Sequence, residues 1–240
     1  MARDIVPDLA RPVEYASRSA PRAVWKAAVI LMNRTLPGRA PWHFSIKYEP
    51  ETNKAEVFVS LTQRSIAFLR AINVGGHTVK MDALRALVAE LGYANVATFI
   101  ASGNVIFDTP PTPSAALEAE LERHLHAALG YEVLTFIRTA EELAAIARYV
   151  PFDPPEPDAH ALYVSFMKEP LHAAAEARLL ALNSETDLFH AHGREFYWLC
   201  RVRLPDSPLA SGTLLAKAVG VPTTARNLTT VRKLAAKYSA

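Results

Sequence analysis

Between Ser65 and Ile137 short apolar runs and helical stripes alternate in the order strand, helix, strand, strand, helix, strand, and from Ala161 the pattern starts again. Residues 66–72 form a continuous apolar run of strand length, stopped by Gly75 and Gly76. Residues 81–91 follow with Leu84, Leu87, Val88 and Leu91 at helical spacing, and Gly92 stands where a helix end favours glycine. Two further apolar runs, 96–101 and 105–107, flank Ser102, Gly103 and Asn104, the chemistry of a tight hairpin turn. Beyond Pro110–Pro113, Ser114 stands as the cap of a helix that carries Leu117, Leu121, Leu125 and Leu129 on one stripe. A strand over 133–137 closes the set. That order is the ferredoxin-like βαββαβ unit.

The second half begins after a short helix, 141–149, and a proline cluster at Pro151, Pro154, Pro155 and Pro157. A strand over 161–167, a helix over 171–182 and strands over 188–191 and 195–202 repeat the first four elements around the turn Gly193-Arg194. Helices over 213–219 and 228–238 end the chain. The expected fold class is therefore α+β, with two ferredoxin-like (βαββαβ-type) halves, 65–150 and 151–240, and a helical C-terminus. Residues 1–64 read as an N-terminal extension rich in proline and arginine. It holds one short helix over 24–33 and a hairpin whose strands, 44–48 and 55–61, flank the turn 50–53.

Half of the 240 residues are hydrophobic and 21% are charged, ordinary for a globular chain. The single cysteine, Cys200, excludes an intramolecular disulfide and fits a reducing, cytoplasmic compartment. The longest apolar run, 27–32, is far below the roughly 18–20 residues that cross a bilayer, and it lacks a small-residue cleavage site, so neither a membrane span nor a signal peptide is expected. The net charge of +2 conceals an asymmetry: after Asp206 there is no acidic residue, while Lys217, Arg226, Arg232, Lys233 and Lys237 are all basic. A basic end on a mildly acidic body suits an anionic partner.

Two separated stretches together form a signature. The first is Phe68-Leu-Arg-Ala-Ile-Asn-Val-Gly-Gly76, with Met81–Arg85, Leu91-Gly-Tyr93 and Ser102–Phe107 after it. The second is Leu215-Ala-Lys217, Gly220, Thr224-Ala-Arg-Asn227 and Thr230–Leu234. Together they resemble the bacterial family catalogued as domain of unknown function 1697; the resemblance covers roughly residues 65–238 and implies a fold of ferredoxin-like halves without implying an activity. Three positions depart from the family pattern: Ala71 replaces an expected glycine, Ala101 a glutamine and Leu228 a tryptophan.

The leading functional expectation is a binding module for a small anion bearing phosphate or carboxylate. Asn73, Gly75 and Gly76 lie between a strand and a helix start, where backbone amides can approach an oxyanion. Arg70, just before them, adds a planar fork. Ser102 and Asn104 belong to the hairpin turn, and Thr224, Arg226 and Asn227 precede the last helix; Asn227 also suits an N-cap there. An enzyme built around the same loops is an alternative, with His77 as the only nearby histidine and no catalytic residue assigned. A third reading is nucleic-acid binding, in which Lys217, Arg232, Lys233 and Lys237 meet phosphates from a weak helix-turn-helix pattern. His190, His192 and Glu195 share one face of a hairpin, but an exposed tip is a poor metal site, so neither metal nor cofactor is expected. Cys200 in an apolar strand reads as core filling, and Tyr197 and Trp198 alternate faces.

Overall fold

The computed structural model describes residues 42–49, 54–73, 78–100, 103–153 and 159–239. The chain divides into two compact units, 1–63 and 64–240. In the first unit, strands β1 (Trp42–Glu49) and β2 (Lys54–Leu61) pair antiparallel, with Trp42 opposite Leu61 and Glu49 opposite Lys54. The helix expected over 24–33 lies outside the described residues.

The described residues of the second unit form a mixed α/β structure with two four-stranded antiparallel sheets and six α-helices. Its first seven elements are β3 (Gln63–Leu69), α1 (Met81–Ala89), β4 (Ala94–Thr98), β5 (Asn104–Thr109), α2 (Ser114–Leu129), β6 (Thr135–Thr139) and α3 (Ala140–Arg148). The next seven repeat the order: β7 (Ala161–Phe166), α4 (Ala173–Leu180), β8 (Asp187–His192), β9 (Glu195–Cys200), α5 (Thr213–Val219), β10 (Thr224–Asn227) and α6 (Leu228–Tyr238). The sheets run β4-β5-β3-β6 and β10-β7-β9-β8, so in each the last strand lies beside the first. Strand β10 is an addition to the elements expected from sequence. Four residues with no apolar alternation carry no strand signal of their own; β7 supplies it, pairing Thr224 with Phe166 and Asn227 with Tyr163.

Strands β5 and β9, and β3 over its last five residues, are buried on both faces, as expected of strands covered on either side. Ile66 and Phe68 of β3 join Val164 and Phe166 of β7, Tyr197 of β9, and the apolar stripes of α3 and α6 in one shared core. Ala67 and Leu69 face the other way, against Leu84 and Val88 of α1 and Leu117, Leu121 and Leu125 of α2. In the second sheet Phe196, Trp198 and Cys200 pack with Leu179 and Val219 beneath α4 and α5. Tyr197 and Trp198 thus take opposite faces, and both are buried.

Helix ends follow local chemistry. Thr139, the last residue of β6, caps α3 in a capping box with Glu142, and Asn227, the last residue of β10, caps α6 through the Thr229 amide. Ser114 opens α2 as its first helical residue; the capping position falls on Pro113, whose carbonyl accepts from Ala116 and Leu117. Glu118 and Glu122, one turn apart on α2, accept the Ile137 and Thr135 amides at 2.8 Å each. The edge of β6 is therefore satisfied by side chains. Burial pushes the Glu118 carboxyl above the usual carboxylate range, against the pull of the Ile137 amide.

Arg138 on β6 ties the two sheets together. Fully buried, it donates from Nε to Glu195 Oε1 at 2.5 Å and from Nη2 to the carbonyls of Met167 and Arg194 at 2.8 and 2.9 Å. Removing one member strands a buried charge, so Arg138→Leu should cost about 3–5 kcal/mol in urea denaturation. Arg138→Leu combined with Glu195→Leu should recover part of that loss. A double variant no more stable than the single one would show that the pair is not the source of the effect.

Candidate functional site

The residues singled out from sequence converge only in part. Arg226 lies on β10 rather than in a loop, and its guanidinium spans the two sheets. Nε donates to Asn104 Oδ1 at 2.7 Å, Nη1 to Thr224 Oγ1 and the Ala225 carbonyl, and Nη2 to the Leu69 carbonyl at 3.0 Å. Burial lowers this guanidinium to about 10. Asn104 is held in turn, donating to the Phe99 carbonyl. Arg226, Asn104 and Thr224 therefore form one cluster, and the contacts described for it are to the protein's own atoms.

This cluster mirrors the Arg138 bracket. In both, the arginine comes from the last strand of one half, takes its Nε partner from the start of the other half's third strand, and bonds the carbonyl that ends that half's first strand. Leu69 and Met167 are equivalent carbonyls, each also donating its amide across to the turn, to Gly103 and Arg194. Gly103 has a φ of +70°, and a Cβ there would stand 2.8 Å from Ile72 Cγ2, so only glycine lets the turn approach.

Arg70 is exposed at the end of β3, and the Asn73 side chain accepts from the Val79 amide at 2.7 Å. Gly75, Gly76, His77 and Ser102 fall outside the described residues. Ala71, where the family pattern suggested glycine, has a φ of +59°, which explains the preference.

The basic residues do not form one surface. Lys217 lies on α5, which packs on the outer face of the second sheet, while Arg232, Lys233 and Lys237 lie on α6 against the inner face. Strand β10 separates those helices, so they are not the adjoining pair of a helix-turn-helix. Arg232 donates to the Ala147 carbonyl of α3, and Lys237 lies over the Tyr238 and Phe99 rings. Among the described residues no group of three His, Cys, Asp or Glu side chains could hold a metal ion. His192 stands opposite Glu195, but that carboxylate belongs to Arg138, while His190 hydrogen-bonds Tyr149 and His192 stacks on its ring. Cys200 pairs with Asp187 and is buried, and burial pushes its thiol up.

A concavity lies elsewhere, in a groove of about 630 Å³ where three chain segments meet. Leu134 and Phe136 supply one wall from β6 and the residues before it. The connection from β7 to α4 brings Lys168, Glu169, Leu171 and His172. The connection from α5 to β10 brings Val221 and Pro222. The wall is mainly apolar. Lys168 is 2.7 Å from Glu122 Oε1, and Arg178 of α4 donates from Nε to the Ala218 carbonyl at 3.0 Å. Helix α4 begins inside the groove, and its first described bonds run from Ala175 and Glu176 to the His172 carbonyl. The amides of Ala173 and Ala174 therefore belong to the turn that lacks intrahelical partners.

The sequence reading did not find this groove, although a signal existed. Phe166-Met-Lys168 stands at the end of the second half's first strand as Phe68-Leu-Arg70 stands at the end of the first half's. The same strand–basic residue–helix logic that drew attention to Arg70 applies to Lys168.

An α+β unit of two equivalent four-stranded sheets, bracketed by arginines and carrying a lateral groove, is the class that this geometry defines. The family model described as protein of unknown function (DUF1697) matches residues 62–197, and the chain belongs to that family. Among solved structures, the conserved bacterial protein SP0830 from Streptococcus pneumoniae is similar in fold, with a TM-score of 0.58 and 21% identity over 75% of this chain and 99% of that one. No curated protein matches.

Two outcomes test the geometry. Arg226→Ala should destabilise the chain by about 1.5–3 kcal/mol, the range for a charge-assisted hydrogen bond, and Arg226→Lys should not restore it because an ammonium lacks the fork. Equal melting temperatures for wild type and Arg226→Ala would contradict this. Ala71→Gly should stabilise by about 1 kcal/mol through relief of the left-handed backbone; a lower melting temperature would count against it.

Proposed function

We propose that this protein is a binding module for a small anionic ligand, seated in the groove between Leu134, Lys168 and Val221. The observation that carries the reading is a largely apolar groove that also takes Lys168, His172 and Arg178 into its lining, with the first residues of α4 on its wall. Apolar concavities with a few convergent polar groups are the usual form of small-molecule sites, and 630 Å³ lies within their range of roughly 300–1,000 Å³. A helix start favours negative charge, and the Arg178 guanidinium, from the last turn of the same helix, lines the same groove.

The architecture fits this role. Each sheet has its fourth strand beside its first and its third on the other side, which supports reading the halves as ferredoxin-like units. With the two sheets locked face to face, connections from both halves are left to shape a recess. Arg138, Glu195 and Met167 hold the β6 wall against the end of β7, immediately before Lys168, so the groove is formed before any ligand arrives.

The test is a thermal-shift screen of the full chain with small phosphates and carboxylates, on wild type and on Ala174→Trp. Ala174 is exposed at the groove wall, so the indole should fill the groove without disturbing the core. A ligand at a hundred times its dissociation constant adds about 2.7 kcal/mol to wild type, and the tryptophan variant should lose that shift. A panel without a single hit, or hits that survive Ala174→Trp, would remove the groove from consideration.

A further inference from the structure

We infer that the groove takes a monocarboxylate on an apolar body, such as a medium-chain or arylalkyl acid. The inference rests on the groove reading above and names its ligand class. Three features of the site point to it.

The first is the wall. Leu134, Phe136, Leu171, Val219, Val221 and Pro222 offer a continuous apolar lining, and Val221 remains exposed in it. A sugar phosphate or nucleotide would bring hydroxyls that this lining cannot satisfy, and each one buried without a partner is costly. An alkyl or aryl body has no such requirement and gains from leaving water.

The second is the charge balance. Lys168 is matched by Glu122, and Glu169 adds a carboxylate to the same wall. That leaves Arg178 and the start of α4 as the attraction for an incoming anion. One negative charge fits this balance, whereas a phosphate monoester near neutral pH carries between one and two and would face Glu169.

The third is the shape of the cation. Arg178 is anchored through Nε on the Ala218 carbonyl, so its orientation is set before binding. The outer nitrogens of the fork suit the two oxygens of a carboxylate. Gly220, with a φ of +73°, lies beside them: a Cβ there would stand 3.7 Å from Arg178 Nη2, an ordinary contact distance. The carboxylate then lies against Arg178 and the first turn of α4, with the apolar body along Leu134, Leu171 and Val221.

Calorimetric titration of the full chain with octanoate, octanol and octyl phosphate tests this, using wild type, Arg178→Gln, Arg178→Lys and Ala174→Trp. Octanoate should bind wild type at least roughly tenfold tighter than octanol or octyl phosphate, the scale of one charge-assisted contact. Arg178→Gln should weaken octanoate about tenfold without changing octanol, and Arg178→Lys should recover part of the loss. Octyl phosphate binding as tightly as octanoate, or octanoate affinity unchanged in Arg178→Gln, would overturn the carboxylate assignment. If octanoate fails while another anion binds and is blocked by Ala174→Trp, the ligand class falls and the groove site survives. If nothing binds in a way that Ala174→Trp blocks, both fall.

Discussion

Phe68 and Phe166 stack with ring centroids 4.0 Å apart and planes 9° from parallel, and each belongs to the first strand of its own sheet. Arg226 lies over the Phe68 ring and Arg138 over the Phe166 ring, at 5.7 and 5.5 Å from the centroids. Each arginine begins in the opposite half to the ring it covers. The contact is therefore made twice, in reciprocal form, at the centre of the unit. A buried guanidinium with its donors on carbonyls and a side-chain oxygen fixes direction as well as distance, which apolar packing alone does not. The facing sheets are held in one register, and the grooves and turns at their ends follow from it.

The two brackets differ in one position. Glu195 receives Arg138, and Asn104 stands in the equivalent place for Arg226. Opposite charge supports the first guanidinium, although burial still holds it below its ordinary value. The described acceptors of the second are neutral oxygens, and burial alone accounts for its lowered value. Near-equivalent geometry with unlike partners leaves the halves free to diverge: the second half presents its first connection in a groove with Lys168 and Arg178, the first half presents Arg70 and Asn73.

Much of this fold is legible in the chain. Leu117, Leu121 and Leu125 are spaced for a helix and pack as one, and residues 213–219 and 228–238 are helical over the spans their pattern suggests. The turn at Gly193-Arg194 sets the β8–β9 register, with His192 opposite Glu195 and Asp187 opposite Cys200. These elements are read from neighbours in sequence, because helices and hairpins are closed by local hydrogen bonds. Strand β10 is different. Thr224–Asn227 has no periodicity, and its bonds go to β7, whose paired residues, Tyr163 to Phe166, lie far back in the chain.

Local chemistry written in the sequence determined the alternation of elements, the hairpins, and the caps at Thr139 and Asn227. It also carried the family signature. Tertiary structure alone decided that Arg226 crosses between sheets instead of facing a helix start, because side-chain direction on β10 depends on a strand partner that the sequence does not announce. It likewise decided the groove: Leu134, Lys168 and Val221 come from three connections far apart in the chain. A concavity of that kind exists only once the sheets are docked, since no segment has a wall to offer until another is fixed opposite it.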